Sequence, residues 1–520
     1  MKISVYFNRA VSRLLALAFV SPVLVSLTPA LAHAAPDLVI EGDFSGVDHQ
    51  TYRYLPFKVP AGVTRVSVEF SYTGQEQKST IDLGLFDPQG FRGWSGGNKA
   101  AFTLSASDAT PSYLPGPIMA GTWRLALGVP NLRKDGHAHY IARISFAHAG
   151  DPLPDSVFTE APLNPLPGWY RGDLHDHTGH SDGTCPSLTG HNVPCPTFIT
   201  LQQAKAHGLD FIAVTDHNGV SQYNDLRELQ PYFDNLLLIP GREITTFYGH
   251  ANVFGTTEYI PFQLGSAELP TVRDLTAAVH AKGALISINH PKVPSGEACM
   301  GCGWTAPDTD FEDFDAIEVV NGGATIFQGG NVEGPLNGIP FWEARLNAGD
   351  RLAAIAGSDD HRPLGHDGKP GRESGVGFPT TVVYAEKLSQ SALLDGLRHG
   401  RVFIDFSPST VPSHPHVLDL EAVAGGQKAL MGQGLKLSKG EPLAITAHID
   451  GAAGDQLEVI LNSQPVQRLA IADDQASIAF SIPAAQLDDV KGAAWVRVNV
   501  RDAKGRIVMI SNPVYLQRGG

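Results

Sequence analysis

Residues 173–183 read Asp-Leu-His-Asp-His-Thr-Gly-His-Ser-Asp-Gly. His175 and His177 stand two apart, and on an extended chain residues i and i+2 project to the same side. The pair can therefore hold one ion together, with Asp182 reaching in from the loop that follows. A His-x-His alone is as readily a chance surface pair, so the rest of the chain has to supply partners. It does: Asp216-His217, Glu243, His250, His290 and Asp359-Asp360-His361 each stand where an apolar, strand-like run ends or begins. Asp359-x-His361 repeats the same-side spacing of the opening pair, although the neighbouring Asp360 competes for the assignment. Histidine and carboxylate ligands without metal-type cysteines suit zinc, manganese or iron. Nine such residues, His175, His177, Asp182, His217, Glu243, His250, His290, Asp359 and His361, exceed the needs of one ion. Two or three divalent ions sharing a bridging carboxylate are expected. His207 at a helix end and His280 within a helix read as bystanders, and His180 is equally a loop residue or a substrate contact.

Ligands so far apart in sequence must be gathered by the fold. Across residues 169–408 strand-like apolar runs alternate with helical stretches. Thr271 and Asp274 open one helix that Gly283 closes, and another runs from Ser389 to His399 before Gly400. This alternation predicts an α/β domain with a parallel sheet and crossover helices. The number of units favours a barrel, in which the C-terminal strand ends share one mouth. Residues 37–150 read as an N-terminal β-sandwich, with alternating runs separated by turns such as Asp87-Pro88-Gln89-Gly90. That domain either caps its neighbour or offers Trp94 or Trp123 to a carbohydrate or another surface. Proline-rich residues 151–168 read as a linker, and 409–520 as a C-terminal, immunoglobulin-like β-sandwich.

The chain has 520 residues, 42% hydrophobic and 18% charged, with a formal charge of -15. An acidic surface argues against a nucleic-acid backbone as the main partner, while leaving room for a locally basic pocket. Residues 1–34 read as a signal peptide: Lys2, Arg9 and Arg13 precede an apolar run from Leu14 to Leu27 and small-residue cleavage sites. That run is short for a span of about 20 residues, so export to the periplasm or beyond is expected, without an integral membrane span. In an oxidising compartment Cys185 and Cys195, and Cys299 and Cys302, pair locally. The alternative is a single four-cysteine zinc site.

As an ordered set, His175-x-His177, Ser181-Asp182-Gly183, Thr215-Asp216-His217, Glu243, Asn289-His290-Pro291 and Ser358-Asp359-Asp360-His361 resemble the PHP (polymerase and histidinol phosphatase) metal-dependent hydrolases. Gly249-His250, Asn218 and Gly400-Arg401-Val402-Phe403 look like its carbaryl-hydrolase-like (CehA/McbA-like) branch. The resemblance implies a distorted (β/α)7 barrel with two or three ions. His175, His177, Glu243 and Asp359 would hold one ion. Glu243 would bridge to a second, bound by His250 and His290. Asp182, His217 and His361 would hold a third. Some relatives carry histidine where Asp182 stands.

The expected activity is hydrolysis of a small-molecule phosphoester by hydroxide activated between the ions. Asp359 and Glu243 are the catalytic candidates. Arg242, Arg362, Asn218 and His180 are candidate substrate contacts, the arginines because a guanidinium can grip a phosphate through paired hydrogen bonds. The carbaryl-hydrolase likeness motivates an alternative, cleavage of a carboxylic or carbamic ester at the same ions. A catalytically silent, exported binding protein is the third reading.

Overall fold

The computed structural model describes residues 35–151, 157–159, 161–297, 299–365, 375–406, 416–488, 490 and 492–518. The expected signal peptide lies outside the described residues, as do parts of the expected linker and the start of the last domain.

The first domain stacks two antiparallel sheets. Leu38–Ser45, His137–His148, Val63–Tyr72 and Ala101–Ser105 form one, and Tyr52–Val59, Gly121–Asn131, Thr80–Phe86 and Phe91–Gly96 the other. Alternation turns Val66, Val68 and Phe70 inward against a core that includes Trp123. Trp123 is fully buried and its indole N–H donates to the Met119 carbonyl, so it is not available to a surface ligand. Trp94 is only half-buried.

In the middle of the chain the strands are short and apolar on both sides. Phe211–Val214 and Ala353–Gly357 are buried at every position, as in a sheet covered on both faces. The order across the sheet is Ala353–Gly357, Ala316–Asn321, Leu285–Ile288, His250–Phe254, Leu237–Thr245, Phe211–Val214, Gly168–Asp173, Thr380–Ala385 and Val402–Asp405. The expected parallel sheet needs correcting at two places. His250–Phe254 runs antiparallel to both neighbours, because the link from Thr245 to His250 is too short for a crossover. Thr380–Ala385 runs antiparallel to Gly168–Asp173. The helices follow their local signals. Val272–His280 opens on Thr271, whose Oγ accepts the Asp274 N–H while Asp274 accepts the Thr271 N–H. The sheet curls until extensions of its first and seventh strands meet. Asp176 bridges Asp360, His177 N–H donates to the Asp360 carbonyl (3.0 Å) and Asp359 N–H to the His175 carbonyl (2.7 Å). Among the described residues this contact is a bridge and not a ladder, so the result is a curled mixed sheet; hydrogen bonding does not trace the expected closed barrel.

Val402–Asp405 pairs onward with Ile507–Ser511, which continues the sheet into the last domain. There Val417–Ala424, Gln427–Leu430, Leu443–Asp450 and Gln475–Ile482 form a separate antiparallel sheet. The first domain docks through a buried carboxylate: Asp108 accepts Arg65 (3.0 Å) from its own domain and Arg227 (2.7 Å) from helix Gln222–Leu229. Arg65 also reaches Thr257, and Ala109 N–H donates to Asn224. Among the described residues no helix is long and apolar enough to cross a membrane.

Candidate metal centre

The curl brings the nine ligand-type residues to one place. His175 and His177 follow strand Gly168–Asp173, His217 follows Phe211–Val214, and Glu243 lies near the end of Leu237–Thr245. His250 opens its strand, His290 follows Leu285–Ile288, and Asp359 and His361 follow Ala353–Gly357. Glu243 is the hub. Its Oε1 is 3.3 Å from His175 Nε2, His250 Nδ1 and His290 Nε2. Its Oε2 is 2.8 Å from His217 Nδ1 and 3.5 Å from His177 Nε2. Asp359 Oδ1 stands 3.3 Å from His175 and 3.2 Å from His177. Asp182, 59% exposed, approaches His361 at 3.3 Å and His217 at 3.7 Å. Four overlapping groups have ligand atoms close enough to hold an ion: His177, Asp182, His217 and His361; His175, His177 and Asp359; His217, Glu243 and His250; and His175, His290 and Glu318.

The donor atoms fit a cation. His175 Nε2, His177 Nε2, His250 Nδ1 and Glu243 Oε2 are buried without a hydrogen-bond partner. Each such orphan costs roughly 1–3 kcal/mol, and ions held by the overlapping groups would satisfy them. The remaining ring nitrogens are already engaged. His175 Nδ1 faces Glu318 Oε1 (3.0 Å), His290 Nδ1 the Cys302 carbonyl (3.1 Å), His250 Nε2 the Met300 carbonyl (3.3 Å) and His361 Nδ1 the Asp359 carbonyl (3.0 Å). These oxygens accept, so the nitrogens facing them carry the hydrogens. An ion that displaces any second proton would find the lone pairs of the opposite nitrogens facing the cluster. Asp359, His290 and Asn218 all adopt positive φ, a conformation costing non-glycine residues of order 1–3 kcal/mol and concentrated at functional sites.

Burial, with His361 and His217 close by, holds His177 down at about 4, so its ring is neutral at pH 7. Burial opposes the charge on His361, but Asp182 and Asp359 push it up to about 9. Burial also works against an ionised Glu243, yet His175 and His217 hold it well below the usual carboxylate range.

The other sequence candidates lie elsewhere or are already occupied. Arg242 points away from Glu243, as adjacent strand residues must. It is 1% exposed, with its guanidinium over Tyr259 (4.9 Å) and Phe262 (5.8 Å). Asn218 clasps Thr245, accepting its N–H and donating to its carbonyl. His180 sits between Ser221 (2.8 Å) and Asp225 (2.9 Å), tying its loop to helix Gln222–Leu229. Arg362 is half-buried beside the centre, and its N–H donates to Asp360. Asp359 and not Asp360 turns its carboxylate to the histidines.

Cys185 pairs with Cys195, and Cys299 with Cys302, with Cα–Cα separations of 4.9 and 5.6 Å, so the alternative four-cysteine zinc site is not formed. The first closes a hairpin whose Thr184 N–H donates to the His361 carbonyl. The second closes the loop whose carbonyls fix His250 and His290.

Sequence reading missed Glu318 and Asn321. Glu318 holds His175 and accepts the His290 N–H (2.8 Å), while Asn321 donates to both Glu318 and Asp359 (3.1 Å each). The signal available was a carboxylate inside an otherwise apolar strand, Ala-Ile-Glu-Val-Val-Asn, where burial demands partners. Glu318→Ala is expected to weaken metal binding about 10–100-fold. Competition with a chromophoric chelator measures this; unaltered affinity would remove Glu318 from the centre.

No family model matches the chain, and no curated protein does. Among solved structures, one neighbour is a two-domain protein from Bacteroides vulgatus containing a predicted PHP-like metal-dependent phosphoesterase. It has 18% identity and a TM-score of 0.36, over 67% of this chain and 96% of that one. A second, from Bifidobacterium adolescentis, has the inferred activity of a metal-dependent phosphoesterase. It has 18% identity and a TM-score of 0.27, over 43% of this chain and 94% of that one. TM-scores this low establish neither a shared fold nor a shared activity.

Proposed function

We propose that the chain is an exported, PHP-type metal-dependent hydrolase, with its active domain at 169–408 between β-sandwich domains at 37–150 and 409–520, and that it cleaves phosphoesters. The observation that carries this reading is the convergence of three buried, unpartnered imidazole nitrogens, His175 Nε2, His177 Nε2 and His250 Nδ1, on the Glu243 carboxylate. His175, His177, His217, Glu243, His250, His290, Asp359, His361 and Asp182 would hold two or three ions of zinc, manganese or iron. Such ions supply Lewis acidity and lower the pKa of water. Asp359 presents Oδ1 beside His175 and His177 while Asn321 donates to its other oxygen, so Oδ1 would be held at the ions, as a ligand and as the nearest carboxylate acceptor for a proton from water. Asp182 and His361, the most exposed members, form the side open to substrate. Export is supported by the character of residues 1–34 and by the paired cysteines.

Metal-loaded protein is expected to hydrolyse p-nitrophenyl or bis-p-nitrophenyl phosphate. His175→Ala and Asp359→Ala should each lower turnover by more than about a hundredfold and reduce bound metal, with an unchanged circular dichroism spectrum. Turnover of p-nitrophenyl acyl esters alone would replace the phosphoesterase reading with the carboxylic or carbamic ester one. Protein that neither binds metal nor hydrolyses any of these would be the binding protein instead.

A further inference from the structure

The first domain uses its two sheets differently. Arg65, on strand Val63–Tyr72, is in the sheet that reaches the metal-bearing domain through Thr257. The other sheet carries Tyr52, Tyr54, Phe86, Phe91 and Trp94 on its outer face, with Tyr52 68%, Tyr54 50% and Phe91 53% exposed. Outer faces of sandwich sheets are ordinarily polar.

The register builds a platform from these residues. Tyr52 and Asp82 both pair with Gly128, and Tyr54, Ala126, Gly84 and Trp94 form the adjacent row. The small residues let the Trp94 indole lie down on the sheet. A Cβ on Gly84 would collide with the ring, and one on Gly128 would stand 3.1 Å from Trp94 Cη2 and 3.2 Å from Tyr52 Cε1. The Tyr52 ring stands at 61° to the indole, 6.0 Å away, as a side wall. Asp82 borders the same spot, its Oδ1 facing Gly96 and Gly97. Arg124 lies over Tyr54 (5.7 Å) and Phe86 (5.5 Å) on the next row.

This combination selects its ligand. A flat indole favours the C–H face of a saturated ring by dispersion. Asp82, Arg124 and the tyrosine hydroxyls offer acceptors and donors around it. A purely apolar partner would bury the Asp82 carboxylate without compensation. An anionic polymer would meet Asp82 on a chain of formal charge -15. We propose that this face binds a neutral carbohydrate chain, a pyranose stacking on Trp94 with hydroxyls on Asp82 and Tyr52, and so tethers the enzyme to polysaccharide.

Native gel electrophoresis of the full-length protein in gels containing hydroxyethyl cellulose, xylan, glucomannan or dextran tests this. Retardation is expected in at least one. Trp94→Ala should weaken the apparent affinity about tenfold or more, Asp82→Asn should weaken it without altering the platform's shape, and His175→Ala should bind as wild type does. The proposal is overturned if no gel retards the protein, if both platform variants migrate as wild type, or if His175→Ala abolishes retardation. It is also overturned if light scattering reveals a dimer that Tyr52→Ala dissolves. Should Trp94→Ala fail to fold, Asp82→Asn decides.

Discussion

Replacing Glu243 with alanine is expected to empty the metal centre. Its two oxygens stand within 3.5 Å of five imidazoles, those of His175, His177, His217, His250 and His290. Removal takes away the one carboxylate common to the histidines of four strands and leaves those imidazoles facing one another. Metal retained after dialysis should fall to a fraction of the wild-type content. Turnover of bis-p-nitrophenyl phosphate should drop by more than about a hundredfold, beyond the usual 10–100-fold cost of an outer-sphere change. Glu243→Gln keeps the shape and an acceptor oxygen but not the charge, so it should fall between the two. Elemental analysis beside the rate assay separates a lost ion from a misplaced one. Full metal content in Glu243→Ala would show that the hub is not a ligand.

The second large effect lies at the joint between the first two domains. Asp108 is fully buried between Arg65 and Arg227. Burial opposes its charge, but the two guanidinium groups overcome that and hold the carboxyl well below its usual range. Breaking a buried pair by removing one partner costs about 3–5 kcal/mol, since the charges left behind are unpaired. Asp108→Asn should lose about that much stability at pH 7, measured by urea unfolding. The pH dependence has a definite sign. A carboxyl depressed in the folded state contributes its full stability above its unfolded pKa of about 3.9, and loses it as pH falls toward the folded value. The gap between wild type and Asp108→Asn should therefore be constant from pH 7 to about 5 and shrink below about 4. A gap independent of pH down to 3 would mean that the carboxylate's charge is not what joins the domains.

How legible the molecule was depended on whether a feature is local. Thr271, Asp274 and Gly283 marked their helix because capping is settled within a few residues. His175 and His177 were readable as a pair because strand geometry alone puts them on one side. Arg242 was misleading although the correction was also local: next to an inward Glu243 on a strand it had to face outward, into Tyr259 and Phe262. His250–Phe254 could be read as a strand but not its direction, which the short link from Thr245 decides together with the strands on either side. Trp94 and Trp123 were equivalent as letters. Register made one the centre of a core and the other a platform over two glycines.

By itself the sequence determined the chemistry on offer: nine imidazole and carboxylate groups in a fixed order, at strand ends, in a chain with four cysteines. Donor-atom chemistry belongs to residue type and survives any fold. Only the tertiary structure decided which donors meet. The curl that brings Asp176 against Asp360 sets the distances between strand ends. It places Glu243 among five histidines and puts Glu318 behind His175, and no spacing along the chain encodes those separations.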